Sequence, residues 1–547
     1  MAAVALVLVS GDTGADPRTP AGLPGMPPPF LGTAVTGHGA MTAAVDAYGD
    51  VVDLRLPGPA GRALIDNPSA RQAASTVAAD TGIVPRVSID AGPALPLWRA
   101  DSVSQRYLAG TNVVRTVARF GHVRMAIDAA VGNRRLALIV KAAGGVGREA
   151  APSVSVDVGD GAACRSASNG ELLALLCIQS SAQVTRRFLE SQPSGSAIVV
   201  PRGRDPFVAA AQAIVSRAAS SDRAWLAGAK PLGAGAPLWA RSMYRRSLLT
   251  LRALTSRRAG AVAAGARDGW AYVWPRDAAT ACIAFAAAGY RREARGVARY
   301  LSGLDLSAAA RFGEAGDPIP GRGLQGDAAG WVAACAAATG RPLSSGAVSW
   351  RNRPDYQESA PGDYLANAIA AADGPKNQPD VDKSSRRRES EAIAAEFATA
   401  EGLVRRGGDP GSGLDSAAAW AVRPFPQPLL FGQVRRTLVR LATGQTQFGI
   451  KPSEDWGGGS DPWTAPTAWT GWAFGALADA QRRDPVAART DRRQALRLLA
   501  DLRRAATPAG ALPERVDART GVPRSTTPLA WSHAFAILAL NELWPSP

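Results

Sequence analysis

The chain has 547 residues, a formal charge of +16 and a pI near 10.4, with 46% hydrophobic and 20% charged residues. That length supports two or more domains with substantial cores. The composition excludes a disordered or low-complexity chain, and the positive charge points to nucleic acid only where it concentrates on one face. Arginines are spread through nearly every block, and the tightest basic run, Lys383 to Arg388 (KSSRRR), reads as a solvated loop. Polyanion binding therefore rests on net charge alone.

Residues 1–30 begin MAAVALVLVSG and continue as a Pro-rich stretch to Phe30. The apolar run has the length of a signal-peptide core without a preceding basic residue, and it reads equally as a simple N-terminal extension. No apolar run reaches about 18 residues, so no spanning helix is expected.

From 31 to 205 the chain shows short Val, Ile and Leu runs, such as Ile83–Ile89 and Leu136–Val140, broken by Gly, Asp and Pro, the pattern of an all-β domain. Residues 206–240 read as a helical linker. From 241 to 547 the segments lengthen and become Ala- and Leu-rich at helical spacing, including Ser242–Thr255, Ala278–Leu301, Glu389–Arg405, Thr467–Arg482 and His533–Leu543. Helices in series without strands pack on one another as a bundle or close into an α/α toroid, which gathers its functional loops at one end.

Cys164, Cys177, Cys282 and Cys335 have no CxxC spacing, and three histidines provide no familiar zinc set, so neither a metal nor a cofactor is expected. Cys164 and Cys177 are near enough to bridge neighbouring strands or to stand as two buried thiols.

The chemistry collects in four segments. Trp270 to Asp277 (WAYVWPRD) combines Trp270, Tyr272 and Trp274 with Arg276 and Asp277 around a proline, just before a helix. Aromatic faces stack on a pyranose, while a guanidinium and a carboxylate bind its hydroxyls. Asp277 is also placed to cap that helix. Next, Arg351 to Tyr364 (RNRPDYQESAPGDY) carries Glu358, where partial burial would let a carboxyl donate a proton at neutral pH. Lys451 to Trp463 (KPSEDWGGGSDPW) brings Lys451, Glu454, Asp455 and Trp456 together beside three glycines. Finally, LPERVD carries Glu514 as a candidate base, and PLAWSH carries Trp531 as a second stacking surface.

In this order and rough spacing, WAYVWPRD, DYQE, EDWGGGSDPW, LPERVD and PLAWSH resemble the glucoamylase-like glycoside hydrolases of family 15, in their prokaryotic two-domain form. The resemblance implies an N-terminal antiparallel β-sandwich joined to a C-terminal (α/α)6 barrel, and an inverting, exo-acting hydrolysis of α-glucosides. By the same resemblance Glu358 is the general acid and Glu514 the general base, with carboxyls roughly 6.5–9.5 Å apart to admit a water. Arg276 and Asp277 hold the terminal sugar, Trp274 and Trp531 line its subsite, and Glu454 and Asp455 match the acidic pair beside it.

The chain departs from the family pattern at Gln357 and Ser359, which flank the acid, at Lys451 in place of an arginine, and at Trp456 in place of tyrosine. These departures admit altered sugar specificity or a carbohydrate-binding protein that keeps the cleft without turnover. A phosphorylase would need no base like Glu514, so LPERVD argues against that reading. The expected partner is an α-glucoside oligosaccharide or disaccharide of open linkage, the expected location secreted or envelope-associated with a cytoplasmic one as the alternative, and the oligomeric state stays open.

Overall fold

A computed structural model describes residues 34–66, 83–90, 92–132, 135–144, 152–158, 174–179, 184–188, 198–200, 206–266, 269–341, 349–373, 383–481 and 483–546. The expectations for residues 1–30 and for a Cys164–Cys177 bridge, whose Cys164 is not among them, lie outside these residues. Contacts divide the chain into two compact units, 1–224 with 266–270, and 225–265 with 271–547.

The first unit carries two sheets. One contains β1 (Ala34–Gly37), β2 (Thr42–Val45), β3 (Val51–Leu56), β4 (Arg62–Asp66), β5 (Ile83–Ser88), β6 (Leu95–Pro96) and β11 (Ser153–Val158). The other contains β7 (Ser102–Tyr107), β8 (Val114–Phe120), β9 (Val123–Gly132), β10 (Arg135–Ala143), β12 (Ala174–Gln179), β13 (Val184–Phe188) and β14 (Ile198–Val200), in the order β14-β13-β12-β10-β9-β8-β7.

Strand β10 explains the unbroken LALIV run. Leu136, Leu138 and Val140 enter a core shared with Val45, Val51 and Ile83 of the other sheet, while Ala137 and Ile139 are buried against Ala211 and Ile214 of helix α1 (Pro206–Leu226). The expected antiparallel sheet needs one correction, because β10 and β12 pair in parallel. Between them the chain crosses to the other sheet as β11, antiparallel to β5, and returns in its original direction.

The second unit contains α2 (Leu238–Leu254), α3 (Pro275–Ala287), α4 (Arg291–Leu301), α5 (Ala328–Thr339), α6 (Leu365–Asp373), α7 (Lys383–Phe397), α8 (Phe431–Thr443), α9 (Thr464–Ala480), α10 (Pro485–Ala505) and α11 (Ala530–Leu543). Helix α11 packs against α2, α3 and α9, and α3 packs against α4 and α5. Every residue of α9 from Thr464 to Ala478 is buried, so its all-round apolar face belongs to an interior helix, whereas α4 and α10 bury one stripe each.

The expected Ala278–Leu301 helix is two helices, divided at Gly289 (φ 87°), whose backbone only glycine adopts without strain. The Lys383–Arg388 run is helical rather than a loop, forming the first turns of α7, with Arg387 paired to Glu391 one turn on. That helix ends at Phe397, and Val404–Arg406 forms a short strand, β17, paired with β18 (Asp409–Leu414). Cys282 of α3 and Cys335 of α5 form a disulfide closing a 53-residue separation.

Helices α5 and α6 approach so closely at Gly330 that a Cβ there would lie 2.1 Å from the Ala370 carbonyl oxygen. Gly330→Ala is expected to lower stability by about 1–3 kcal/mol, because backbone must give way. Thermal unfolding monitored by circular dichroism checks this, and an unchanged midpoint refutes it.

Candidate active site

Helix α3 begins at Pro275, with Trp274 as its N-cap residue. Proline's fixed φ and missing N–H suit the first helical position. Asp277 is therefore not the cap but lies in the first turn, and its side chain is free for other work.

Arg276 and Asp277 are both buried, 5% and 4% exposed. Arg276 Nη1 donates to Gln325 Oε1 (2.6 Å) and Asp327 Oδ2 (3.1 Å), and its guanidinium lies 4.5 Å from the centre of the Trp531 ring. Nη2 is 3.3 Å from Asp277 Oδ2 without hydrogen-bond geometry, and Arg276 Nε and Asp277 Oδ2 have no hydrogen-bond partner among the described residues. A buried carboxylate oxygen and a buried guanidinium N–H on adjacent residues thus keep hydrogen-bonding capacity that the described residues do not use.

Burial pushes the Asp277 carboxyl up to about 7; Arg276 pulls it down, and the carboxylates of Asp327, Glu514 and Glu358 push it up. Glu358 and Glu514, 156 residues apart in sequence, are thus close enough to act on one buried carboxyl.

Glu514 sits on an irregular loop fixed on both sides. Its N–H donates to the Thr526 carbonyl (2.9 Å), its carbonyl accepts from the Thr464 N–H at the start of α9 (3.0 Å), and Ser525 Oγ donates to its Oε2. Buried His533 anchors the same loop, accepting from the Leu512 N–H through Nε2 (3.0 Å), with Nδ1 2.9 Å from Ser247 Oγ. Burial holds that imidazole well below its usual pKa, so it stays neutral as an acceptor.

Glu358 occupies a tight turn in the left-handed region (φ 56°), its N–H donating to the Asp355 carbonyl (2.9 Å). Its side chain is 30% exposed and paired through Oε2 with Arg322. Beneath it Tyr356 is buried, its hydroxyl donating to Asp415 Oδ1 (2.7 Å). Burial pushes Asp415 up to about 7, opposed by Arg405 and reinforced by Asp355.

Several expected sugar contacts are used otherwise. Trp531 is only 3% exposed and packs edge-on to Trp469 at 5.2 Å, so it supports Arg276 rather than offering an open stacking face. Trp274 is also buried, while Tyr272 is half-buried with Arg311 4.8 Å above its ring. Trp270 falls in the short 266–270 segment that groups with the first unit, where it is half-buried.

On the glycine loop, Lys451 Nζ donates to the Glu454 carbonyl (2.9 Å), Glu454 Oε2 accepts from the Leu414 N–H (3.0 Å), and Asp455 accepts from Ser453 and Arg405. Lys451 closes the loop on itself, while Glu454 and Asp455 tie it to Leu414 of β18 and Arg405 of β17, since a glycine-rich segment needs side-chain bonds to fix it. Half-buried Trp456 packs edge-on to Trp463 at 5.6 Å.

Sequence reasoning missed Gln325, Asp327, Arg322, Arg405 and Ser525. The pattern Gln325-Gly326-Asp327 immediately before an apolar helix was the available signal for the first two. Arg405 was hidden because its segment reads as the end of a helix.

The structure superimposes on a bacterial glucoamylase complexed with acarbose with a TM-score of 0.66, covering 95% of each chain at 13% sequence identity. The chain has a glucoamylase-like fold. A glucoamylase from Saccharomycopsis fibuligera aligns with a TM-score of 0.46 over 56% of this chain and 94% of that one, at 13% identity. A glycosidase aligns with the same TM-score over 56% of this chain and 97% of its own, at 20% identity. No protein-family model matches the sequence, and no curated protein matches it significantly.

Proposed function

We propose that the protein is an inverting, exo-acting α-glucoside hydrolase, with an N-terminal β-sandwich and an (α/α)6 barrel as its catalytic domain. The observation that carries the reading is the buried Arg276–Asp277 pair, with polar atoms unspent on protein, under the joint electrostatic influence of Glu358 and Glu514. In this scheme Asp277 and Arg276 hold the terminal glucose by its hydroxyls, and Glu358 gives its proton to the glycosidic oxygen. Glu514, steadied by Ser525, takes a proton from the water that attacks the opposite face.

The acarbose bound by the bacterial glucoamylase is consistent with a carbohydrate partner for this chain. The Cys282–Cys335 disulfide supports a secreted or envelope location. Among the described residues no helix is long and apolar enough to cross a membrane.

A second reading, a carbohydrate-binding protein without turnover, is favoured by one observation: Arg322 already occupies a carboxylate oxygen of Glu358. Proton NMR of the protein with maltose, isomaltose and trehalose separates the two. The hydrolase releases β-glucose before mutarotation on at least one of them, whereas retained sugar binding with no glucose from any establishes the binding protein.

A further inference from the structure

The turn that presents Glu358 is built against its own backbone preference. A glutamate in the left-handed region is strained and persists only where its surroundings over-determine it. Asp355 supplies the first constraint: its carbonyl accepts from the Glu358 N–H, and its Oδ1 accepts from the Gln357 N–H (3.1 Å).

Asp355 is in turn held by Arg405, whose guanidinium reaches three places at once. Nε donates to Asp355 Oδ2 (2.9 Å), Nη2 donates to Ser359 Oγ, and Nη1 donates to Asp455 Oδ2 (3.1 Å). Arg405 thus touches the residue three before Glu358, the residue directly after it, and the glycine loop opposite. A second strut runs parallel, with Ser453 Oγ bonded to Asp455 Oδ1 (2.6 Å) and Gln357 Oε1 (3.3 Å).

Arg405 itself is 6% exposed, on strand β17, with the Tyr364 ring 5.1 Å from its guanidinium. A short hairpin strand fixes the base of the side chain and a buried ring lies against its guanidinium, so its planar fork transmits position rather than only charge.

We infer that Arg405 is a positioning residue for proton donation: it locks the Asp355–Ser359 turn to the glycine loop and thereby sets the direction of the Glu358 carboxyl. The inference rests on the reading of Glu358 as general acid. It also accounts for Ser359, which gives the fork a neutral acceptor beside Glu358 where a second carboxylate would compete for the guanidinium.

The test compares Arg405→Lys and Ser359→Ala with Glu358→Gln on two substrates, the α-glucoside that the wild type hydrolyses and α-glucosyl fluoride. Fluoride departs with little help from an acid, so a defect in proton donation spares the fluoride and a general loss of structure does not. Arg405→Lys keeps the charge and compensates Asp355 but loses the fork. It is expected to lower kcat on the glycoside by about 10²-fold with KM nearly unchanged, since a misplacement near 1 Å costs that much. Its rate on the fluoride is expected to fall by less than about threefold, because acid catalysis is not required there. Ser359→Ala, which removes a single contact of the fork, is expected to show the same selectivity in smaller measure and guards against misfolding of the lysine variant.

Equal losses on both substrates for Arg405→Lys and Ser359→Ala, or no loss on either, overturn the positioning role. If Glu358→Gln itself lacks the selectivity, the assignment of the acid fails instead, so the two failures are distinguishable.

Discussion

Replacing Glu514 by Gln is expected to lower kcat for α-glucoside hydrolysis by about 10²–10⁴-fold, the usual worth of a positioned general base. The substitution is nearly isosteric. The amide that replaces the carboxylate still offers an oxygen to Ser525, and the backbone bonds to Thr526 and Thr464 are untouched, so the loop keeps its shape. KM is therefore expected to stay within about threefold, as for an interaction made only in the transition state. Steady-state kinetics with NMR detection of the first-released anomer provides the check. A variant with near wild-type kcat removes Glu514 from the mechanism, and a large rise in KM alone reassigns it to binding.

The second large effect is on stability. Arg276→Met removes a buried guanidinium that touches Asp327, Asp277 and Gln325 and leaves two carboxylates buried without their cation. Breaking a buried pair from one side costs about 3–5 kcal/mol, more than the pair itself contributes over an apolar replacement.

The loss depends on pH with a definite sign. Asp277 is raised to about 7, so its contribution is fully present below its unfolded pKa of about 4 and is lost as pH rises through 7. Without Arg276, the one group pulling it down, the folded pKa climbs further and the loss continues to higher pH. The difference in unfolding free energy between wild type and Arg276→Met should therefore be smaller at about pH 5 than at about pH 8. Urea unfolding at the two pH values measures it, and a difference that shrinks towards the alkaline value contradicts the arrangement.

Much of this arrangement is local and so legible in the chain itself. Short Val- and Ile-rich runs gave way to long Ala- and Leu-rich ones because strands and helices bury apolar surface with different periods. The start of α3 was legible to within a turn: the helical spacing begins at Ala278, and the helix itself at Pro275, which suits the first helical position. WAYVWPRD, Glu358 and Glu514 were visible because aromatic rings, carboxylates and a proline lay within a few residues of one another.

What stayed hidden depended on partners distant in sequence. Arg405 sat in a stretch of helical composition, yet the chain there forms β17, pairing with β18, and its side chain bonds to Asp355 and Asp455, each 50 residues away on either side. The parallel pairing of β10 with β12 arose from a crossing into the other sheet that strand periodicity does not record.

The order of the elements, the apolar faces they bury and the residue types available for sugar chemistry are written in the chain, because these follow from local propensity and short-range spacing. It took the folded chain to show that Trp531 lies against Arg276 with little exposed surface, that Glu454 accepts from the Leu414 N–H of β18, and that the Asp277 carboxyl is raised to about 7. Burial and charge are sums over neighbours from distant segments, and they take definite values only once the chain has brought those segments together.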